Sequence, residues 1–289
     1  MINKTESYSN QDSLTAAAIQ LKPAGSVEKN LDNAKSLLRE AVDRGANLAV
    51  LPENFAYYGQ TNISAAIKDE NGETGLVSEF LRTQAQELNI WLVGGTIPVL
   101  GCTEPVDVNR PYARSFLLNP EGKREAYYDK IHLFDADISL SQDQHRQYRE
   151  SDRYSAGISV CAVPTRAANI GLTVCYDLRF PELYRNLADQ GAEIITVPSA
   201  FTANTGEAHW EVLLRARAIE NQLFIVGANL VDRHHPKRGL WGGSAIIDPW
   251  GTILDSVAGD QPGIAIANIN MTLIRDQRRN MPVQQHRKL

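Results

Sequence analysis

Apolar runs of strand length alternate along the chain with segments whose apolar positions recur every three or four residues. This is a pattern of α/β layering rather than of separate all-α and all-β parts. Residues 15–21 predict a buried strand. Leu31, Ala34, Leu38 and Ala41 then recur at helical spacing, Gly45 supplies a stop, and residues 47–51 predict the second strand of a βαβ unit. A helix is predicted over 77–88, a strand over 90–96 and another over 113–118, the last running into the turn Asn119-Pro120-Glu121-Gly122. Residues 134–157 are polar and irregular, and predict a long surface segment of the kind that is functional or mobile.

The second half repeats the order of the first. A strand is predicted over 169–174, a helix over 181–190 and a strand over 193–197. A helix over 210–221 carries Val212, Leu213, Ala216 and Ile219 on one side, and a strand over 223–228 follows it. Asp43-Arg44-Gly45-Ala46 followed by Pro52 matches Asp189-Gln190-Gly191-Ala192 followed by Pro198 at the same spacing, so the chain predicts two pseudo-symmetric βαβ halves. Residues 243–247 and 252–257 flank Asp248-Pro249-Trp250-Gly251 as a hairpin; a strand over 263–269, a helix over 271–279 and a basic tail over 284–289 close the chain.

Composition narrows the class. With 289 residues, 43% hydrophobic and 22% charged, the chain can bury a sizeable core, which excludes disordered, collagenous and coiled-coil proteins. It reads as a polar tail over 1–13 and a single domain over 14–289. No run reaches the roughly 20 apolar residues of a membrane helix, and the start holds Glu6 and Asp12, so a cytoplasmic protein without membrane attachment is expected. A net charge of −5 with scattered Lys and Arg leaves no footprint for nucleic acid. The expected partner is a small molecule. Cys102, Cys161 and Cys175 are too few for a disulfide framework or a tetrahedral metal site, and are expected to be free thiols.

Ligands of open α/β sheets bind beyond the carboxyl ends of the strands, and three reactive residues fall there. Cys175 follows an apolar strand that breaks into a turn and a helix, in the form of a nucleophile elbow; the alternative is a buried cysteine acting as a small hydrophobe. Glu53, in Leu51-Pro52-Glu53-Asn54-Phe55, is placed to act as a base, or as a turn acid. Lys130, in Tyr128-Asp129-Lys130-Ile131-His132-Leu133, lies among apolar and aromatic residues. Enclosed there it would keep its charge only beside carboxylates and could steady an oxyanion; most lysines are solvated surface groups, and a histidine such as His132 is more often structural than a base.

Together, Leu51-Pro52-Glu53, Tyr128-Asp129-Lys130-Ile131-His132-Leu133 and Val174-Cys175-Tyr176-Asp177-Leu178-Arg179-Phe180-Pro181-Glu182 resemble, in order and spacing, the three signature blocks of the nitrilase or carbon–nitrogen hydrolase superfamily. The resemblance extends through Pro198-Ser199-Ala200-Phe201 to Asp248-Pro249-Trp250-Gly251 and covers nearly the whole chain. It implies a four-layer αββα sandwich that pairs with a second copy through its helices, as a homodimer or higher homo-oligomer, and a reaction without metal or organic cofactor. It also implies that Glu53 is the base, Lys130 the cation that holds the tetrahedral intermediate and Cys175 the nucleophile. Glu150 then matches a second glutamate beside the lysine, and the Tyr176 backbone N–H faces the oxyanion.

Within the superfamily, the run from His209 to Glu220, the run from Arg233 to Arg238 and the run from Arg278 to Arg287 look most like an amidase branch that cleaves deaminated glutathione to 2-oxoglutarate and cysteinylglycine, a metabolite-repair reaction. Such a substrate is anionic at both ends, and Arg179, Arg233, His235 and Lys237 are the candidate cations to hold it. The rival readings are an ω-amidase on 2-oxoglutaramate, another small amide or nitrile as substrate, and a catalytically silent member that binds a metabolite or a partner protein.

Overall fold

The computed structural model describes residues 14–59, 66–67, 75–101, 110–141, 144–235 and 238–288. Its first half contributes β1 (Leu14–Gln20), α1 (Val27–Asp43), β2 (Leu48–Val50), α2 (Leu76–Leu88), β3 (Trp91–Val93), β4 (Ile97–Val99), β5 (Tyr112–Leu118) and β6 (Arg124–Asp129). After a ribbon of β7 (Asp135–Ser141) and β8 (Gln144–Arg149) come β9 (Cys161–Pro164), β10 (Asn169–Leu172), a 3-10 turn over Cys175–Arg179, α3 (Pro181–Asp189), β11 (Ile194–Ser199), α4 (Ala203–Asn221) and β12 (Phe224–Asn229). The chain ends through the short pair β13 (Val231–Asp232) and β14 (Leu240–Trp241), then β15 (Ala245–Ile247), β16 (Ile253–Ser256), β17 (Gly263–Ile269), α5 (Met271–Asn280) and α6 (Val283–His286).

Two sheets stack face to face. The first has the order β17-β1-β2-β3-β5-β4, with β6 also on β5, and the second the order β16-β15-β12-β11-β10-β9. Their centres, β1-β2-β3 and β10-β11-β12, are parallel, as βαβ crossovers require, and their margins are antiparallel. The alternation along β1 sets the layers: Ala16 and Ala18 turn inward with Ile170 and Leu172 of the other sheet, whereas Ala17 and Ile19 turn outward onto Leu31, Ala34 and Leu38 of α1 and Leu81 of α2. On the far side Leu183 and Leu187 of α3 and Trp210 and Leu214 of α4 close the second sheet. The result is the αββα sandwich.

The repeated Asp-x-Gly-Ala signature is a repeated hydrogen-bonded stop. Gly45 has φ +93° and Gly191 φ +90°, a conformation open to glycine at little cost. The Ala46 N–H returns to the Ala41 carbonyl and the Ala192 N–H to the Leu187 carbonyl, both at 3.0 Å. Even the next helices end alike, with Asn89 at φ +55° and Gln222 at φ +52°.

Several expected elements differ. The segment 134–157 is not irregular: it contains the antiparallel ribbon β7–β8, whose first strand carries the alternation Ala136, Ile138, Leu140, a signal obscured by the wholly polar run 141–147 that follows it. The strand expected over 90–96 ends at Val93, before Gly94 and Gly95, and a separate strand, β4, follows at Ile97. Neither β6, with its charged Arg124, Glu125 and Asp129, nor β9 carries a strand signature strong enough to read. Helix α4 begins at Ala203, seven residues before the expected start at 210, because Ala203-Asn204-Thr205-Gly206 are not periodic and Asn, Thr and Gly are weak helix formers. The expected basic tail contains α6.

Candidate active site

The carboxyl ends of strands from both sheets meet at one buried cluster. Strand β2 is apolar throughout and stops at Pro52, which has no N–H to continue the ladder. Glu53 follows, in a sharp turn whose next residue, Asn54, takes φ +52° and is held by the Thr96 hydroxyl accepting its N–H at 2.9 Å. Gly95 packs against this turn so closely that a β-carbon would collide with the Pro52 carbonyl oxygen, so residue 95 must be glycine for Glu53 to sit where it does.

In the second sheet the chain leaves β10 through buried Thr173, whose hydroxyl donates to the Thr196 carbonyl at 2.8 Å, and turns at Cys175. Cys175 has φ +47°, a left-handed conformation costing about 1 kcal/mol or more for a residue with a β-carbon. This is the sharp strand-to-helix turn expected of a nucleophile elbow. Lys130 lies just past β6, fixed by its N–H on the Ala113 carbonyl (3.1 Å) and by its own carbonyl accepting from the Gly157 N–H (2.8 Å). Glu150 lies just past β8.

These four side chains form one network. Lys130 Nζ donates to Glu53 Oε1 at 2.8 Å and to Glu150 Oε1 and Oε2 at 2.9 and 2.8 Å. Glu53 Oε2 accepts the Ala200 N–H at 2.9 Å, and Glu150 Oε2 accepts the Phe134 N–H at 2.6 Å. The Cys175 thiol lies within the influence of Glu53 and of the Ala200 N–H, which act on its proton affinity in opposite directions. Lys130 is 1% exposed, Glu53 4% and Cys175 8%, so these charges interact with little solvent screening.

Burial and the Glu53 carboxylate push the Cys175 thiol well above the ordinary thiol range, against the opposing pull of Lys130 and the Ala200 N–H. Burial is also the largest influence on Lys130 and lowers it, but Glu150, Glu53 and Cys175 together outweigh it and hold the ammonium well above its usual range. Glu150 is raised by burial, with Lys130 as the main restraint. A protonated thiol, a carboxylate in contact with it and a permanently charged ammonium are therefore gathered around one point. That set can move a proton from sulfur to carboxylate while a cation faces developing negative charge. Among the described residues no group of three or more His, Cys, Asp or Glu side chains is placed to hold a metal ion.

The expected cations divide. Arg179 is half-buried beside the nucleophile: its guanidinium lies 5.0 Å from the Phe201 ring centre and 5.7 Å from that of Tyr176, Nη1 is 3.2 Å from His209 Nδ1, and it acts electrostatically on Cys175. Arg233 is engaged elsewhere, stacked at 3.9 Å on Trp241 with Nε donating to the Trp241 carbonyl at 2.7 Å. The His235 ring accepts the Arg238 N–H at Nδ1, 3.0 Å away, inside its own loop. Lys237 lies outside the described residues, as does Cys102; Cys161 and Cys175 are free thiols.

Sequence reasoning missed Tyr58, Tyr148 and Arg238. The Tyr58 hydroxyl is raised by burial and feels the charges of Arg238, Glu53, Tyr148 and Cys175. Its position five residues after Glu53, in the turn closed by Tyr57 and Tyr58 N–H groups on the Asn54 carbonyl, was the one available signal. Phe134 extends the aromatic wall, 4.8 Å from Tyr148 and 4.9 Å from Tyr176 between ring centres.

Comparison with known proteins gives consistent results. The family model described as carbon-nitrogen hydrolase matches residues 15–279. A protein of Synechocystis named deaminated glutathione amidase is 40% identical over 276 residues, covering 94% of this chain and 97% of its own. Among solved structures, Nit3 of Saccharomyces cerevisiae, described as a member of branch 10 of the nitrilase superfamily, superposes with a TM-score of 0.83 at 28% identity, over 96% of this chain and 97% of that one. An amidase from Nesterenkonia sp. AN1, solved with the acetamide moiety of fluoroacetamide added covalently to its active-site cysteine, matches with a TM-score of 0.73 at 25% identity over 96% and 98% of the two chains.

Proposed function

This chain belongs to the carbon-nitrogen hydrolase family, and from that membership we propose that it hydrolyses a linear amide through a thioester on Cys175, with deaminated glutathione as substrate. The observation that carries the reading is the buried contact of Cys175 with Glu53, whose carboxylate in turn shares Lys130 with Glu150.

Glu53 takes the thiol proton as the sulfur attacks the amide carbonyl, and the carbonyl oxygen becomes an oxyanion held by the Lys130 ammonium and the Tyr176 N–H. Collapse of that intermediate breaks the carbon–nitrogen bond, with the proton passing from Glu53 to the departing amine. Water then attacks the thioester carbonyl, Glu53 accepts a proton from it, and the thiol and the free carboxylic acid are released. Glu150 keeps its ion pair throughout and positions Lys130. The high affinity of the buried thiol for its proton makes an adjoining base necessary: few sulfurs would ionise unaided at neutral pH.

For the substrate, support comes from the name that the Synechocystis relative carries and from the site's charge. Arg179, steadied by two aromatic faces beside Cys175, suits a carboxylate of the 2-oxoglutaryl half. Arg238, whose charge acts on the Tyr58 hydroxyl, would offer a cation to the second anionic end. Release of 2-oxoglutarate from deaminated glutathione and from 2-oxoglutaramate, measured side by side, tests the assignment. The expected result is a kcat/KM at least about tenfold higher for deaminated glutathione, a difference of about 1.4 kcal/mol in transition-state binding. A preference for 2-oxoglutaramate would make this an ω-amidase, and inertness toward both would leave another amide or a binding role.

We further infer a homodimer joined through the outer helices. Val212 and Ile219, seven residues apart on α4, are 66% and 44% exposed, and Trp250, Leu273 and Met281 continue the exposed apolar strip. Asp substitution of both Val212 and Leu273 is expected to convert a species of twice the chain mass into monomer in sedimentation velocity; unchanged sedimentation would place the interface elsewhere. No helix among the described residues is long and apolar enough to cross a membrane. The free thiols Cys161 and Cys175 support a reducing compartment, the cytoplasm.

A further inference from the structure

The buried carboxylate of Asp177 has no place in the bond-making steps, yet it is the most heavily hydrogen-bonded group near the site. It is fully buried and sits two residues after the nucleophile. Its Oδ2 accepts the Tyr128 hydroxyl at 2.8 Å and the Val174 N–H at 2.9 Å, and its Oδ1 accepts the His132 N–H at 3.0 Å and lies 2.7 Å from His132 Nδ1. A carboxylate can only accept, so that ring nitrogen carries its proton.

The order of these partners along the chain is informative. Tyr128, in β6, and His132, in the bend beyond it, stand two residues before and two residues after Lys130. Val174 and Asp177 bracket Cys175, one residue before it and two after. The Asp177 N–H also returns to the Val174 carbonyl at 3.0 Å, so residues 174 and 177 are tied to each other in both directions across the strained residue at 175. Outside this core the His132 ring stacks on Phe180 at 3.6 Å with the planes 7° apart, and Phe180 meets Tyr176 edge-on. One carboxylate thus joins the segment that carries the cation to the segment that carries the nucleophile, and these come from different sheets.

We propose that Asp177 is a positioning residue that fixes Lys130 Nζ relative to Cys175 Sγ, using Tyr128 and His132 as its two grips on the lysine segment. The proposal rests on the reading of Cys175 as nucleophile and Lys130 as oxyanion partner. Displacing a reacting group by about 1 Å can lower a rate by about 100-fold without weakening ground-state binding. Asp177 acts only through that displacement, because it does not itself meet the substrate.

The test uses the full-length enzyme and three variants, Asp177→Asn, Tyr128→Phe and their combination, with deaminated glutathione as substrate. Folded protein is first separated from misfolded chains by gel filtration. Labelling of Cys175 in that fraction with iodoacetamide, counted by mass spectrometry against the loss of turnover and referred to total chain, gives the number of intact sites. Tyr128→Phe removes one donor while preserving the ring, so it tests the link even if Asp177→Asn folds poorly. The expected results are a kcat about tenfold lower for Tyr128→Phe and about 100-fold lower for Asp177→Asn, with KM within threefold and close to one labelled Cys175 per chain. The double variant should be no slower than Asp177→Asn, because both changes break the same link.

The proposal is overturned if Tyr128→Phe keeps kcat within twofold of wild type, or if the two losses multiply. It is also overturned if kcat per labelled site is unchanged and only the number of sites falls, since that is what a purely structural role predicts. Failure of the underlying reading looks different: the wild type would remain active after complete alkylation of Cys175.

Discussion

Cys175→Ala is expected to abolish turnover, with a loss of roughly 10⁶-fold, the scale seen when a hydrolase loses its nucleophile. Alanine keeps the β-carbon and tolerates the backbone as well as cysteine does, so the elbow at φ +47° survives and the loss is chemical. Glu53 would remain bonded to Lys130 and the Ala200 N–H, a base with no proton to take. The variant should melt close to the wild type, since only one sulfur atom is removed from a buried site. Two measurements check this. Release of 2-oxoglutarate should vanish, and intact-mass analysis during turnover should show a transient acyl adduct on wild type and none on the variant. Residual turnover within 100-fold of wild type would mean that another group makes the first bond.

Lys130→Met is expected to damage both stability and rate. Methionine matches much of the lysine stem but supplies no charge, leaving Glu53 and Glu150 to face one another in a buried space. Removing one partner from a buried ion pair typically costs about 3–5 kcal/mol. Loss of the oxyanion cation should add a rate decrease of about 10²–10³-fold among molecules that remain folded.

The stability loss carries a pH signature whose sign can be worked out. In the wild type the Lys130 pKa is raised above its unfolded value, so its contribution is complete below the ordinary lysine range and declines only as pH climbs through the higher folded value. In the variant Glu150, whose pKa burial already raises, loses the cation that restrains it and is raised further. The resulting penalty is absent below about pH 4, the ordinary carboxylate range, and grows as pH climbs toward the higher folded value. The gap between wild type and variant in urea unfolding should therefore be wider at pH 8 than at pH 5. An equal gap at the two pH values would show that Glu150 does not depend on the Lys130 charge.

The sequence made some of this architecture legible because strand ends are chemically abrupt. Glu53 and Cys175 each follow an apolar run that stops within two or three residues, and Lys130 stands among aromatic residues where a solvated lysine would be out of place. Glu150 was readable only by resemblance, because the strand that leads to it, β8, is polar apart from Tyr148 and offers no periodicity, whatever the alternation of Ala136, Ile138 and Leu140 in β7. Arg179 and Arg233 were indistinguishable as charges. What separates them is the aromatic surface each found, Phe201 and Tyr176 beside the nucleophile for one and Trp241 for the other. Ala200 contributes a backbone N–H, which no side-chain pattern reveals. Asp177 in a sequence is simply an acid in a turn; its four partners arrive from segments some 45 residues away as well as from its own elbow.

Glu53 places one oxygen on a lysine carried by its own sheet and the other on an amide N–H carried by the opposite sheet, with the nucleophile also on that opposite sheet. The working centre is therefore assembled across a seam, and neither half of the duplicated framework contains a complete set of reacting groups. Turnover is then a ruler laid across that seam. A slip of one sheet over the other by a fraction of an ångström would silence the enzyme while every helix and strand stayed intact, so inactivation on gentle heating or in dilute urea should run ahead of any change in circular dichroism.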